Sequence, residues 1–461
     1  MGTSFPNRRQ FLEAMGMASV AAAVGSPGVP PATAAESAAP PAPPTEKLAL
    51  DGGAPVRAGT LSSRPYGPQF YDEAEQRELL DVLRSRAPFR WWHAGSKVLE
   101  FEEAYSRHIS VKHALAVTSG TTALLTAMAA LEIGPGDEVI LPAWTWYADY
   151  DAVVLAGALP VFAEIDESFD LDPGDIEARI TPRTKAVIVC HLQGTPADLD
   201  PILEIARRHK LRVLEDCAQC LGGKYRGRYV GSIGDIAINS FQLSKTITAG
   251  EGGAVVTNDS VLFERAMRFH DVGSVRSPYQ EALGGGLLAA FAACNFRMNE
   301  FTGAVLKAQL GKLETICRLL RQNAKTVRDG IADLPGLKLR KTGDLEGDIG
   351  VGVFIDLGTR QRRDRFLRAL RAEGIAANGP AGSVILPTDQ RIENKVTVHP
   401  AWPSFNSPEG KAIRYGAACC PRTIDIIGRF GGVVMDPRFT QRDLEDIIRA
   451  IRKVFPAVMR S

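Results

Sequence analysis

An α/β fold built on a largely parallel sheet is predicted by three features of this chain. Continuous apolar runs of strand length recur between residues 113 and 257. Stretches of helical spacing separate most of them, and the residues with chemical potential sit just past their ends. In chain order, Asp72 to Ser85 and Ser96 to Ile109 have helical spacing, the second with Phe101, Tyr105 and Ile109 on one face. His113 to Val117 reads as a strand and Thr121 to Leu131 as the apolar helix after it. Glu138 to Leu141 is the next strand, with a helix near Tyr147 to Ala156. Leu159 to Ile165, Ala186 to Cys190, Arg212 to Leu214, Ile236 to Phe241 and Ala254 to Val256 supply further strands, with a helix over Pro201 to Lys210. The last strand follows its predecessor too closely for a crossover helix, so an antiparallel neighbour is expected. A long helical pattern from Asn299 to Leu334 stops at Pro335-Gly336 and bridges to a smaller α+β region. That region holds a strand (Gly350 to Leu357) and two helices (Arg362 to Gly374, Arg442 to Val454). The expected domains are 46–325 and 326–461, preceded by a separate segment 1–45.

The 461 residues are 45% apolar, enough for two packed domains, and the formal net charge of +1 gives no nucleic-acid footprint. Seven cysteines, an odd number lying mostly in apolar runs (Cys190, Cys294, Cys317), fit buried thiols rather than a disulfide framework. Cys217 and Cys220 form a C-x-x-C with no second pair at zinc spacing, so no metal is expected. Arg8-Arg9, an alanine-rich run from Met15 to Gly25 and Ala32-Thr33-Ala34 have the layout of a twin-arginine export signal, with Pro/Ala-rich linker over 26–45. A disordered tail is the other reading. The alanine run is too short and mild to span a bilayer, and no other stretch reads as an integral membrane span.

The stretch around which the chain is organised is N-S-F-Q-L-S-K-T-I-T-A-G-E-G-G, Asn239 to Gly253. Apolar, β-branched runs enclose it, and a turn suited to glycine ends it. Desolvation between strands depresses the pKa of a lysine, and a neutral amine beside a carbonyl forms a Schiff base. Lys245 is therefore the candidate covalent anchor.

Ligands of open parallel sheets bind outside the carboxyl ends of the strands. The first strand ends at Thr118-Ser119-Gly120-Thr121-Thr122 and runs into a helix, a phosphate cradle or an ordinary N-cap. The second ends at Pro142-Ala143-Trp144-Thr145-Trp146-Tyr147, aromatics for core packing or for stacking a flat ring. His191-Leu192-Gln193-Gly194 follows the strand ending near Cys190, and its histidine reads as structural or functional. Asp216, at a strand tip, needs a cation: a protonated pyridine nitrogen, or an arginine. Gln219 is placed to hydrogen-bond the ring's phenolic oxygen, and Ser240 to donate to phosphate. Phosphate loop, aromatic plate, aspartate and lysine are the main contacts pyridoxal phosphate needs, and they occur in chain order.

These motifs resemble the DegT/StrS family of pyridoxal-phosphate sugar aminotransferases, a branch of the fold-type I enzymes. The matching words include L-A-L-D-G-G-A-P-V-R (48–57), T-S-G-T-T-A-L (118–124), L-P-A-W-T-W (141–146), H-L-Q-G-T-P-A-D-L-D (191–200), E-D-C-A-Q (215–219), S-F-Q-L-S-K-T-I-T-A-G-E-G-G (240–253) and N-F-R-M-N-E (295–300). The resemblance spans roughly 46 to 455. It implies a mostly parallel seven-stranded sheet in the large domain and a smaller C-terminal domain. It implies that Lys245 carries the cofactor's aldehyde as a Schiff base, that Asp216 and Gln219 hold the ring, and that Trp146 stacks on it. It implies that Gly120, Thr121, Thr122 and Ser240 form the phosphate site. Asn295 matches a residue that in this family reaches the neighbouring subunit's phosphate, which implies a homodimer with shared sites. Glu164 stands where the family commonly has aspartate, and Gly379 to Glu409 matches nothing that carries over. The export signal departs from a family that generally works in the cytoplasm.

The opening words and the Ser-Phe-Gln before the lysine look closest to the branch acting on inososes. The implied reaction moves an amino group from glutamate or glutamine to a keto-sugar or ketocyclitol, with Lys245 as general base. The residues that read the acceptor are expected in 379–409 and near Trp92 and His93. Two rivals are a sugar dehydratase using the same cofactor, which Lys245 opposes because such dehydratases carry histidine there, and an exported cofactor-binding sensory protein without turnover.

Overall fold

The parallel sheet is present, and one strand in it is reversed. In the computed structural model, which describes residues 46–91, 96–277, 279–283 and 288–460, the strands are β1 (His113–Val117), β2 (Glu138–Pro142), β3 (Trp144–Thr145), β4 (Leu159–Ala163), β5 (Thr184–Cys190), β6 (Arg212–Asp216), β7 (Lys224–Tyr225), β8 (Arg228–Tyr229), β9 (Ile236–Ser240), β10 (Gly253–Thr257), β11 (Gly352–Asp356), β12 (Val384–Ile385) and β13 (Phe430–Val434). Seven of them form the central sheet in the order β1-β10-β9-β6-β5-β2-β4. Pairings within β4-β2-β5-β6-β9 are parallel, and β10 is antiparallel to both β1 and β9. The short connection from β9 to β10 forces that reversal. The fold class and seven-strand sheet expected from the sequence are thus observed.

Helices Gly120–Ala130, Tyr147–Leu155, Leu199–His209 and Ser260–His270 alternate with these strands, and buried side chains from both faces fill two apolar clusters. Such double coverage is why the strands read as unbroken apolar runs instead of alternating ones. Asp72 caps helix Glu73–Ser85 through a reciprocal box with Glu75, and Ser96 caps Lys97–Ile109. The long pattern over 299–334 divides into two helices, Glu300–Leu310 and Leu313–Ile331, broken at Gly311-Lys312. The expected domain boundary at 325/326 falls inside the second of these, and the described residues belong to one compact unit.

Near the C-terminus β11 pairs antiparallel with β13, covered by helices Arg360–Ala372 and Leu313–Ile331, with Gln441–Met459 packed against both helices. Helix Pro421–Arg429 has no side-chain cap of its own. Glu164 replaces it, accepting the amides of Arg422 (3.1 Å) and Thr423 (2.7 Å). The longer acid at 164 therefore has a structural use, a carboxylate at a helix N-terminus. No helix among the described residues is long and apolar enough to cross a membrane. The segment 1–45, where the export signal is expected, lies outside the described residues, as do Trp92 and His93.

Candidate active site

Because β1, β9, β6, β5 and β2 all run the same way, their carboxyl ends share one edge of the sheet. At one end of this row Ser119 starts helix Gly120–Ala130. Its hydroxyl accepts the Thr122 amide (3.1 Å), while Thr122 Oγ1 accepts the Ser119 amide (2.9 Å). Thr122 therefore closes the capping box, and the first-turn amides of Gly120 and Thr121 have no intrahelical acceptor. The bare Cα of Gly120 is needed, since a Cβ there would lie 2.8 Å from Ser240 Cβ. A side chain at Gly253 would meet the Ser119 carbonyl at 2.3 Å. Two glycines thus press the loop onto Ser240, and exposed amides at a helix N-terminus are suited to phosphate. The segment containing Asn295 lies against the end of β1, where the Thr118 amide donates to the Phe296 carbonyl at 3.0 Å. Asn295 itself is exposed.

Further along the row, Asp216 is the last residue of β6 and pairs with Cys190 of β5. Its Oδ1 accepts the Ala218 amide at 2.8 Å. Burial raises its pKa, against the Ala218 amide and the nearby Lys245 ammonium, which pull it down. Lys245 is half-buried, and desolvation lowers its pKa against the opposing pull of Asp216 and Asp149. Among the described residues no hydrogen bond or ion pair holds Lys245 Nζ. A desolvated amine without a partner is more easily held in its neutral form. The glycine turn beyond it is also as expected, with Gly250 at φ 86° and Gly252 at φ 145°.

The two tryptophans separate cleanly. Trp144 is 1% exposed and packs edge-on against Phe169, whereas Trp146 is 51% exposed at the start of helix Tyr147–Leu155. Gln219 points its amide at a loop that the sequence could not place: Nε2 donates to the Gly382 carbonyl (3.1 Å) and the Ser383 hydroxyl (3.0 Å). Its Oε1 accepts Gln193 Nε2 at 3.2 Å. Gln193 stands in the left-handed region (φ 53°), an uncommon conformation for a non-glycine residue, and also donates to the Ala381 carbonyl. Beside this loop β12 adds to β3, with Val384 opposite Thr145. The unmatched 379–409 segment therefore arrives at the site. A cleft of about 330 Å³ opens here, lined by Lys245, Gln219, Gln193, Arg64, Tyr66 and Gly382 among others.

His191 belongs to the structure, not to the cleft. Its Nδ1 accepts the Ala197 amide (3.0 Å), which leaves Nε2 as the donor to Glu215 (3.1 Å). Cys217 and Cys220 are free buried thiols whose pKa values burial pushes well up. They lack the reactivity of a redox pair. Sequence reasoning passed over Asp149. It is fully buried, and its Oδ2 accepts the Thr145 hydroxyl at 2.6 Å. An acid four residues after Thr145, between Ala148 and Ala152 in an apolar helix, was the available signal.

The donor set fits pyridoxal phosphate: unpartnered amine, carboxylate, exposed aromatic and glycine-lined helix start. A model of the DegT/DnrJ/EryC1/StrS aminotransferase family matches residues 70–379. A Micromonospora echinospora protein, provisionally named L-glutamine:3-amino-2,3-dideoxy-scyllo-inosose aminotransferase, is 33% identical over 388 residues, 82% of this chain and 89% of its own. The L-glutamine:2-deoxy-scyllo-inosose aminotransferase of Streptomyces kanamyceticus is 37% identical over 302 residues, 63% of this chain and 69% of its own. Among solved structures, S. venezuelae DesV in complex with a ketimine intermediate superposes with a TM-score of 0.66 at 31% identity, covering 82% of this chain and 93% of that one. Matched in sequence, fold and the chemistry of its strand ends, the chain belongs to the DegT/DnrJ/EryC1/StrS family and is a pyridoxal-phosphate-dependent aminotransferase.

Proposed function

We propose that this enzyme takes its amino group from L-glutamine and transfers it to a ketocyclitol of the inosose class. The observation that carries this reading is the pair of inosose aminotransferase relatives, one of them matched over 82% of the chain. When bound, the cofactor supplies an electron sink for the carbanion. The chain's own residues do the rest. Lys245 Nζ would hold the cofactor's aldehyde and, as a free amine, would be the base that moves the proton at the donor's α-carbon. Asp216 keeps the ring nitrogen protonated. Trp146 would cover the ring, while Gly120, Thr121 and Ser240 would hold the phosphate, with Thr122 fixing the helix that presents the amides. Gln219 orients the 381–383 loop, which closes the acceptor side.

The exposed Asn295 supports a homodimer in which that side chain serves the second copy's phosphate; sedimentation of parent and Asn295→Asp protein tests this. The motif around Arg8-Arg9 supports export of the folded, loaded enzyme, which cell fractionation with mature N-terminal sequencing tests. For the reaction, purified enzyme is incubated with L-glutamine until the visible cofactor band bleaches. Addition of an inosose then restores it. Restoration only by a nucleotide-linked keto-sugar would remove the ketocyclitol assignment. Loss of a hydroxyl without consumption of glutamine would favour a dehydratase.

A further inference from the structure

Asp149 has no place in the chemistry above, yet it sits beside Asp216. Ligand atoms of Asp149, Cys190 and Asp216 all lie within 4.8 Å of one another, and all three side chains are buried. The lone pairs of Asp149 Oδ2 face two donors, Thr145 Oγ1 (2.6 Å) and Cys190 Sγ (3.4 Å). Its Oδ1 is fully buried and has no hydrogen-bond partner. An unpartnered carboxylate oxygen buried beside a second carboxylate is costly, and two adjacent carboxylates do not both ionise readily. A single proton removes both penalties. On Asp149 Oδ1 it turns the orphan acceptor into a donor toward Asp216, whose lone pairs accommodate the Ala218 amide, this donor and a ring nitrogen together. The same atoms are close enough to hold a cation, but two donors already aim at Asp149, which a cation would oppose.

We propose that Asp149 is a protonated positioning residue whose carboxyl donates to Asp216, forming a carboxyl–carboxylate pair beneath the cofactor's ring nitrogen. The inference rests on the reading of Asp216 as the ring-nitrogen partner. Burial foremost, then the charge of Asp216, keeps the Asp149 pKa well above the ordinary carboxylate value. The charged or titratable groups facing it are Asp216 from β6, Cys190 from β5 and Lys245 from the loop after β9. By donating to Asp216, the carboxyl orients it and lowers its basicity, so Asp216 stays ionised toward the ring.

Infrared spectroscopy of the protein with and without pyridoxal phosphate tests the proposal directly. Above the ordinary aspartate titration range, the parent shows the carbonyl stretch of a buried protonated carboxyl. That band disappears in Asp149→Asn and survives in Asp216→Asn. Because it is read without cofactor, it tests the pair even if Asp216 does not face the ring. Cofactor affinity gives the second readout. Asp149→Asn keeps a donor and binds within about threefold of the parent, whereas Asp149→Val loses it and binds ~10- to 100-fold more weakly. Absence of the band from the parent, or equal affinity of the Val variant and the parent, would overturn the proposal. Equal weakening of the Asn and Val variants would also overturn it.

Discussion

Glu215 and Asp216 are consecutive residues at the tip of β6, and they are held in opposite ways. Glu215 accepts His191 Nε2 (3.1 Å) and the amides of Gly231 (2.8 Å), Ile233 (2.9 Å) and Gly234 (2.6 Å). Burial alone would raise its pKa, but these donors outweigh it and hold the carboxyl below its ordinary value. Asp216, on the other face of the strand, has a single backbone donor, and burial leaves its pKa raised. A saturated carboxylate is a staple, here pinning the 231–234 turn under the sheet. An under-supplied one at a strand end is held ready for a ligand.

Substitutions at these positions test the contrast. The largest effect is expected at the amine facing Asp216: Lys245→Ala should lower the transamination rate by at least ~10³-fold, measured as single-turnover bleaching by L-glutamine. Asp216→Asn should lower it by ~10²-fold and weaken cofactor retention, with little change in unfolding of the cofactor-free protein. Glu215→Gln inverts that pattern, costing about 3 kcal/mol in denaturant unfolding while folded enzyme retains its rate, because a buried partner of His191 is lost. Equal loss of rate in the two carboxylate variants would end the distinction.

The pH dependence separates them further. The Glu215 pKa is lower folded than unfolded, so its stabilisation is present above the ordinary glutamate value and is lost as pH falls through the folded one. Asp149 has the opposite sign. Its folded pKa is raised, so stability falls as pH rises from the ordinary aspartate value toward the raised one, and Asp149→Asn should flatten that slope in cofactor-free protein. The smallest effect belongs to Thr122→Ala, about 1 kcal/mol of stability from the broken capping box and less change in phosphate affinity than Thr121→Ala. A larger affinity loss at Thr122 would return that residue to the phosphate site.

Most of the fold was legible because the strands of the central sheet are buried on both faces and read as unbroken apolar runs. The reversal of β10 followed from its short connection alone. The break at Gly311-Lys312 was not legible, because apolar residues keep helical spacing straight through it. Within the site, Lys245, Asp216 and the S-G-T-T turn stood out as chemical groups at strand ends. Asp149 did not, since an acid in the first turn of a helix is ordinarily a surface residue favoured by the helix dipole. Its burial depends on β5 and β6 closing over it.

From local order in the sequence came the strands, their polar tips and hence the cofactor chemistry, since periodicity and residue type act over a few neighbours. The chain's long-range packing settled which acid is saturated with donors and which is left with one, and which tryptophan lies open. It also brought the distant 381–385 segment onto Gln219 and β3. Such outcomes turn on desolvation and on partners far away in the chain, and neither is written in local spacing.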